Sequence, residues 1–485
     1  MDHRLFLDGT FTSASATRPL RSPATSEQIA TVHEANAAQM DAAITAAHAA
    51  FPRFRALSRF TRSHLLTEIA SGLAARRVSL VSSIVDEAAK PWTLADAEVS
   101  RAITTFTTAA EEAKRYGGDL LPVDIDTAGR AYDLAQVLLT PRGPVLAIAP
   151  FNFPLNLVAH KVAPALAVGA PILVKPAPQT PGASCLLAEI FAEARARVSD
   201  ERDNIPPAAL QVLSAPNEIA ARAVTDERIA LVSFTGSAPV GWNLQTQARG
   251  KKVLLELGGN ASVLVHGDAD LTRAAARVAW GAYAYAGQVC ISVQNVLIEE
   301  RAYDRFKELF LAEVAKIKET AWGDPRAKAT LGGPLIDEKA ANRLMGWIDE
   351  AKQGGARILA GGTRTGNTIA PTVVEHAPES SSLVREEAFG PVAVLSPYSS
   401  IEQGIAAVNR SRYGLQAGVF TERLDVARAA IAGLEVGGVL INEVPTYRAD
   451  HLAYGGMKGS GLGREGLRYA MDEYSERKTV IFYRG

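Results

Sequence analysis

From residue 144 onward the chain alternates short apolar runs with amphipathic stretches, and that rhythm restricts the available folds more than any other feature. "PVLAIAP", "APILVKP", "AALQVLS" and "IALVSFTGS" are compact strand-like runs, and "LVAHKVAPALAVG", "GASCLLAEIFAEARARV" and "NEIAARAVTD" lie between them at helical spacing. Strand, helix and strand repeated in this way predict an α/β fold, a parallel sheet with helices on both faces. Such sheets bind ligands beyond the carboxyl ends of their strands. "KKVLLELGGN" reads as one more strand, ending in a Gly pair. A second α/β block follows, with "SVQNVLIEERAYDRFKELFLAEVAKI", "PVAVLSPYSSIEQGIAAVNRS" and "AGVFTERLDVARAAIAGLEVGGVLIN" each giving strand then helix.

Upstream, residues 36 to 117 place apolar side chains three and four apart and predict helices. After "RYGGDLLP" the texture changes, and "AYDLAQVLLTPRG" alternates like the strands of an arm rather than a core. The end, "RKTVIFYRG", reads as a solitary apolar strand, a liability unless it pairs with another chain or element. With 485 residues the chain is too long for one core and implies two or three domains.

A net charge of −1 gives no field that would attract nucleic acid or an acidic membrane. The N-terminus lacks a signal-peptide core, and no run approaches the roughly 20 apolar residues of a membrane helix. Two cysteines, Cys185 and Cys290, make no disulfide framework and fit reduced thiols in a cytoplasmic protein. The eight histidines show no CxxC, HxxxH or HExxH spacing, so no metal site is expected.

The dinucleotide fingerprint GxGxxG is missing: "GSGLGREG" at 459 to 466 carries Arg464 and follows no long apolar strand, so it reads as a flexible Gly loop. P-loop and GxSxG signatures are also missing. The strand ends say more. Lys175 lies just past an apolar strand, in a Pro-rich stretch that excludes helix. Thr235, Gly236 and Ser237 end another strand with groups small enough for a phosphate to reach backbone amides. Glu256 sits in an apolar run before Gly258 and Gly259, where burial should raise its pKa and suit it to work as a base. Each has a plain alternative: a solvated lysine, a simple turn, a carboxylate paired with an arginine, and for Cys290 a packing role.

Order and spacing decide between them. "APFNFPLN", "LVKPAPQTP", "SFTGS", "LELGGN", "AGQVCIS", "EEAFGPV" and "YGGMKGSGLGREG" follow one another as in the aldehyde dehydrogenase superfamily, with 34 residues from Glu256 to Cys290, and the chain resembles that family over nearly its whole length. The resemblance implies a Rossmann-like cofactor domain (1–117 and 142–256), an α/β catalytic domain (257–458) and a β arm (118–141 and 472–485) that builds homodimers or homotetramers. It also implies NAD or NADP as cofactor and a small-molecule aldehyde as substrate, without nucleic-acid or membrane partners.

By the same resemblance Cys290 is the nucleophile, attacking the aldehyde to give a thiohemiacetal. Asn152 and the Cys290 backbone N–H are the oxyanion donors. Hydride passes to the nicotinamide, and Glu256 is the base that activates water to hydrolyse the thioester. Lys175 matches the adenosine-ribose lysine, Ser237 the serine near the pyrophosphate, and Thr235 lies in the nicotinamide neighbourhood, with Gly236 between the two as a further cofactor-binding position. Glu387 matches the acid on the nicotinamide ribose, with Phe389 packing nearby. Arg101 and His160 fall on helices that line the substrate entrance in relatives, and Tyr447, Arg448 and His451 fall near the other wall. This group resembles the branch acting on small polar aldehydes such as hydroxy-aldehydes or semialdehydes.

Three departures matter. Pro178 stands where many members carry a Glu that repels a 2′-phosphate, which opens the site to NADP as well as NAD. "VLSAPNEIAARAV" lacks the Gly-rich turn many members have there. Val289 precedes the nucleophile, where an Arg would suggest an anionic aldehyde. Two other functions stand beside this reading. A CoA-acylating enzyme of the same fold would not rely on Glu256. An idle structural protein of the same fold would tolerate changes at Cys290, Asn152 or Glu256, and all three are present.

Overall fold

The computed structural model describes residues 1–484. Eight strands of the larger sheet run in the order Gly461–Leu462, Lys252–Glu256, Leu231–Thr235, Val145–Ile148, Ile172–Lys175, Leu210–Val212, Leu5–Leu7, Thr10–Thr12. The five strands from Lys252–Glu256 to Leu210–Val212 are mutually parallel, and the edges are antiparallel. These five are the apolar runs visible in the sequence. They show continuous rather than alternating apolarity because helices cover both faces. The first of them along the chain, Val145–Ile148, has its two successors on one side and Leu231–Thr235 on the other, so strand order reverses between those two neighbours. A crevice beyond the carboxyl ends at such a reversal is the preferred ligand site of open α/β sheets.

One covering helix, Asn156–Val168, is buried along its whole length. It is sandwiched between the sheet and the helices Arg59–Ala75 and Trp92–Arg115. Trp92–Arg115 turns a stripe of Ala95, Val99, Ala102, Phe106, Ala109 and Ala113 inward at three- and four-residue spacing. The small side chains let the helices approach closely, and a fully buried Phe such as Phe106 contributes about 1.5–3 kcal/mol. Glu98 is buried on that same stripe, and His160 and Lys161 are buried on Asn156–Val168. Polar groups in such places need partners, and theirs lie at the site described below.

The second sheet orders Arg357–Ala360, Thr372–Glu375, Val392–Tyr398, Asn295–Glu299, Ser262–Val265, Gln416–Phe420 and Gly438–Ile441, parallel except at the first pair. Only residues 257–261 separate Glu256, at the carboxyl end of a first-sheet strand, from Ser262, at the start of a second-sheet strand. The carboxyl edge of one sheet therefore faces the amino edge of the other.

The tail strand Ser475–Tyr483, grouped with 118–141 in the arm that the resemblance implies, pairs antiparallel with Tyr132–Pro141, which also pairs with Asp119–Leu121. One sequence expectation needs correction. The Gly-rich stretch 459–466 is not a loose loop. Ser460 accepts from the Leu257 N–H through its carbonyl, and its hydroxyl donates to the Gly258 carbonyl and accepts from the Gly414 N–H. Gly461–Leu462 extends the first sheet beside Glu256. Sequence composition suggested flexibility, but a strand edge needing a partner supplies the order. Among the described residues, no helix is long and apolar enough to cross a membrane.

Candidate active site

Cys290 lies in a turn between the helix Leu271–Tyr283 and the strand Asn295–Glu299. Tyr285, Ala286 and Gly287 are consecutive left-handed residues, with φ of 54°, 51° and 70°. Such a run is strained for residues with side chains and persists where surrounding packing enforces it. At Gly287 a Cβ would meet the Gly390 carbonyl oxygen at 2.2 Å, so glycine is required. Gln288 then anchors the turn, accepting from the Ile336 N–H at 2.9 Å. The Gly-Gln pair before the nucleophile thus serves the turn. Cys290 is part-buried, and burial pushes its thiol up to about 11. Its sulfur lies 3.2 Å from the Tyr454 hydroxyl.

Asn152 sits between the strand Val145–Ile148 and the helix Asn156–Val168, only 3% exposed. One amide hydrogen reaches the Gln288 carbonyl at 3.0 Å, tying it to the nucleophile turn, while Oδ1 is buried without a partner. The second amide hydrogen remains free for a ligand oxygen. Behind it, Lys90 Nζ donates to the Asn152 carbonyl at 3.0 Å and to Glu98 at 2.7 Å. It also lies 3.3 Å from the centre of the Phe153 ring. The other Glu98 oxygen accepts from the Leu155 and Asn156 N–H groups, the first turn of the helix. Burial draws Lys90 down to about 8, and Glu98 opposes that fall. This buried pair fixes the loop on which Asn152 stands.

Glu256 is 5% exposed, and its Oε2 has no partner. Burial and then the charge of Glu465 hold its pKa well above the usual carboxylate range, with Arg448, Lys161 and Arg464 opposing. Glu465 is the reverse case. Burial would raise it, but Lys161 at 3.1 Å and Arg448 at 3.1 Å keep it low. The contrast between two neighbouring buried carboxylates, one held ionised and one kept basic, is typical of an acid–base site.

Glu387 stands on the opposite wall, where its carboxylate accepts from the Gly259 N–H at 3.2 Å and burial pushes it up to about 7. A Cβ at Gly258 would meet Glu387 Oε2 at 2.1 Å, so any larger residue there would displace the carboxylate from this position. Gln294 and Arg343 hold the segment by hydrogen bonds to Glu386, Glu387 and Ala388. Phe389 has φ of 47° and meets Phe151 edge-on at 5.8 Å. Lys175 ends its strand beyond the same sheet edge, buried, with its pKa lowered by burial and by Arg18. Thr235 ends the strand Leu231–Thr235, two places along the sheet from Lys175, with a buried, partnerless hydroxyl. Gly236 donates its N–H to the Glu256 carbonyl, and Ser237 starts the helix Ala238–Gln247 without a side-chain capping bond. An uncapped helix start, a free buried hydroxyl and a lysine around a sheet crevice fit a dinucleotide.

Arg101, Asp450, Arg448 and His451 share a cleft of about 270 Å³. Arg101 grips Asp450 with two bonds of 2.8 and 2.6 Å, and His160 meets the same carboxylate at 2.9 Å. Burial, then Arg448, lowers the His160 pKa and favours the neutral ring. Val289 packs beside Cys290, Ile291 and Tyr454. Tyr447 is 53% exposed and lies outside the cleft, and His451 reaches it from the surface. Sequence reading assigned no role to Lys90, Glu98, Lys161, Asp450, Tyr454 or Glu465; the available signal was a charged residue inside an apolar or small-residue stretch, as at Lys161 and Glu98.

The sequence profile of the aldehyde dehydrogenase family matches residues 11–480. The 3-sulfolactaldehyde dehydrogenase of Priestia aryabhattai is 38% identical over 425 residues, 87% of this chain and 86% of that protein. Aldehyde dehydrogenase 21 from Physcomitrella patens, solved with its reaction product succinate, superposes with a TM-score of 0.94 at 38% identity over 99% of this chain and 98% of that one. The glyceraldehyde-3-phosphate dehydrogenase GapN of Methanocaldococcus jannaschii DSM 2661, solved with NADP, gives 0.91 at 34% identity over 96% and 99%.

Proposed function

The chain belongs to the aldehyde dehydrogenase family, as an NAD- or NADP-dependent enzyme that oxidises an aldehyde to the acid, and from that premise we propose how its residues divide the work. The supporting observation is the convergence of a turn-borne thiol, an amide tied to that turn and a buried, basic carboxylate at the crevice between the two sheets. The Cys290 thiolate attacks the aldehyde carbon, and the carbonyl π pair moves to oxygen. The free Asn152 amide hydrogen and the Cys290 backbone N–H hold that oxyanion. The dinucleotide supplies the hydride acceptor. Lys175 binds its adenosine ribose, and Ser237 with the opening N–H groups of Ala238–Gln247 binds its pyrophosphate. Glu387 binds the nicotinamide ribose, with Thr235, Gly236 and Phe389 lining the path. Glu256 takes a proton from water as the water oxygen attacks the thioester, and Cys290 leaves as thiolate.

Asn152→Ala is expected to lower kcat about 10²–10³-fold, the usual loss for one oxyanion donor, with dinucleotide affinity unchanged. Single-turnover measurement checks this, and an effect confined to KM would contradict the role.

The substrate is a small polar aldehyde. Support comes from the polar, ion-paired wall of Arg101, Asp450, His160 and Arg448, and from relatives named for sulfolactaldehyde and glyceraldehyde-3-phosphate. His451 and Tyr447 extend that wall outward. The test is NAD(P)H formation over short hydroxy-aldehydes, semialdehydes, aromatic and long alkyl aldehydes, without CoA. Acid released with the polar members best is the expected result. The highest kcat/KM on long alkyl chains would refute the polar pocket, and turnover only with CoA would refute hydrolysis.

Both cofactors are accepted. Pro178 carries no charge against a 2′-phosphate, and Arg18 donates to the Pro178 carbonyl while pairing with Glu34 at 2.8 Å. Arg18→Ala is expected to lower kcat/KM about two- to fivefold for NADP and not for NAD. Strict use of NAD by the unmodified enzyme would exclude this.

The cofactor domain takes 1–117 and 142–256, the catalytic domain 257–458, and the arm 118–141 and 472–485. The arm exposes Leu120, Leu121, Leu138, Ile481, Phe482 and Tyr483, which supports its covering by a second copy in a homodimer or homotetramer.

A further inference from the structure

Cys290 has a side-chain partner that the chemistry above leaves unused. Tyr454 Oη lies 3.2 Å from Cys290 Sγ. The Tyr454 ring is 5% exposed and packs among Val289, Ile291, Leu415 and Tyr285. Its main chain is pinned to Glu465 by paired N–H···O bonds of 3.0 and 2.7 Å. The hydroxyl therefore cannot leave the sulfur without unpacking the nucleophile's own surroundings. Arg448 lies over the ring, its guanidinium carbon 3.7 Å from the centroid. A cation on the ring face draws electron density from the phenol and makes its O–H a better donor.

We propose that Tyr454 is a further catalytic residue, whose hydroxyl donates a hydrogen bond to the Cys290 sulfur and favours the thiolate over the thiol. This rests on Cys290 being the nucleophile. The balance is simple: the thiol proton leaves to water, and Tyr454 keeps its own. Burial pushes the phenol well above its ordinary range, so it remains a donor. The need for it is physical. Burial disfavours a bare thiolate, and the carboxylates of Glu387, from the 386–389 segment, and Glu256, from the first sheet, oppose it further. Arg448 and the Tyr454 hydroxyl face the sulfur from the 442–458 segment and act the other way. Hydrogen bonds to an ionised acceptor are stronger than neutral ones, so this contact strengthens as the charge forms. Phenylalanine at 454 would keep the packing and the cation contact and remove only the donor.

The test is the pH dependence of Cys290 alkylation by iodoacetamide, a neutral reagent that reads the thiolate fraction. It is run on the full-length protein and its Tyr454→Phe variant. The modified cysteine is identified by peptide mass, and residual turnover is followed in the same samples. The variant is expected to reach half-maximal alkylation about one pH unit higher and to react about tenfold more slowly near neutral pH. An unchanged midpoint would overturn the proposal and leave Tyr454 as packing. If the variant no longer binds dinucleotide, the protein made with 3-fluorotyrosine decides: its more acidic phenol must lower the midpoint, and no shift overturns the proposal. Alkylation at Cys290 that leaves turnover intact would instead refute the nucleophile itself, so the two failures are distinct.

Discussion

Cys290→Ala is expected to lower steady-state NAD(P)H formation by at least about 10⁴-fold while leaving dinucleotide affinity within about twofold. The size follows from what is removed. Without the sulfur no covalent adduct forms, and the oxyanion donors have no developing charge to hold. Cys185 cannot stand in: its thiol is pushed far above the ordinary range by burial, then by Glu87 and Glu189. Structural damage would be small, because alanine keeps the backbone of the turn and removes one part-buried atom. The left-handed run 285–287 is held by Gln288 and the Gly390 contact, neither of which involves the sulfur. Absorbance at the reduced-cofactor band with a matched equilibrium titration checks both halves. Residual turnover above about 1% of the parent, with Cys185 also replaced, would mean that hydride loss does not require a covalent adduct.

The residues legible in the sequence share a property: their meaning is set locally. Lys175, Thr235 and Glu256 each end an apolar run, so strand recognition alone placed them at one sheet edge. Cys290 stood out as one of only two cysteines, in a short stretch of small and apolar residues. What stayed hidden depends on contacts between distant segments. Lys161 and Glu465 meet across 304 residues, and Cys290 and Tyr454 across 164. Lys161 lay in a stretch noticed only for His160, since a lysine in an apolar helix gives no hint of its partner. Arg101 and His160 were visible as polar wall residues, but Asp450, which engages both, was not. The tail strand read as solitary in its local pattern, and only the family resemblance grouped it with 118–141, because its partner, Tyr132–Pro141, lies more than 330 residues earlier. Pairing over such separations is fixed by the closed fold rather than by either strand.

Glu256→Gln should separate the two halves of the reaction. One equivalent of NAD(P)H per subunit is expected in a rapid burst, followed by steady-state turnover about 10²–10⁴-fold below the parent. Glutamine keeps the shape of the side chain but cannot take a proton from water, so the thioester accumulates on Cys290. The pH dependence has a definite sign. Burial and Glu465 raise the Glu256 pKa, so the carboxyl is protonated and idle below that value and becomes a base as pH rises through it. Parent turnover should therefore climb with pH across the raised pKa, and the Gln variant should lose that limb. Hydroxylamine, a nucleophile that needs no general base, should restore turnover to the variant by intercepting the thioester. A burst missing together with lost turnover would move Glu256 to an earlier step, such as taking the thiol proton. In that case Tyr454 and Glu256 would act on the same sulfur, and alkylation of the Gln variant would also slow. With a burst present and the alkylation profile unchanged, Glu256 works on water and Tyr454 on the thiolate, two neighbours with different protons in their charge.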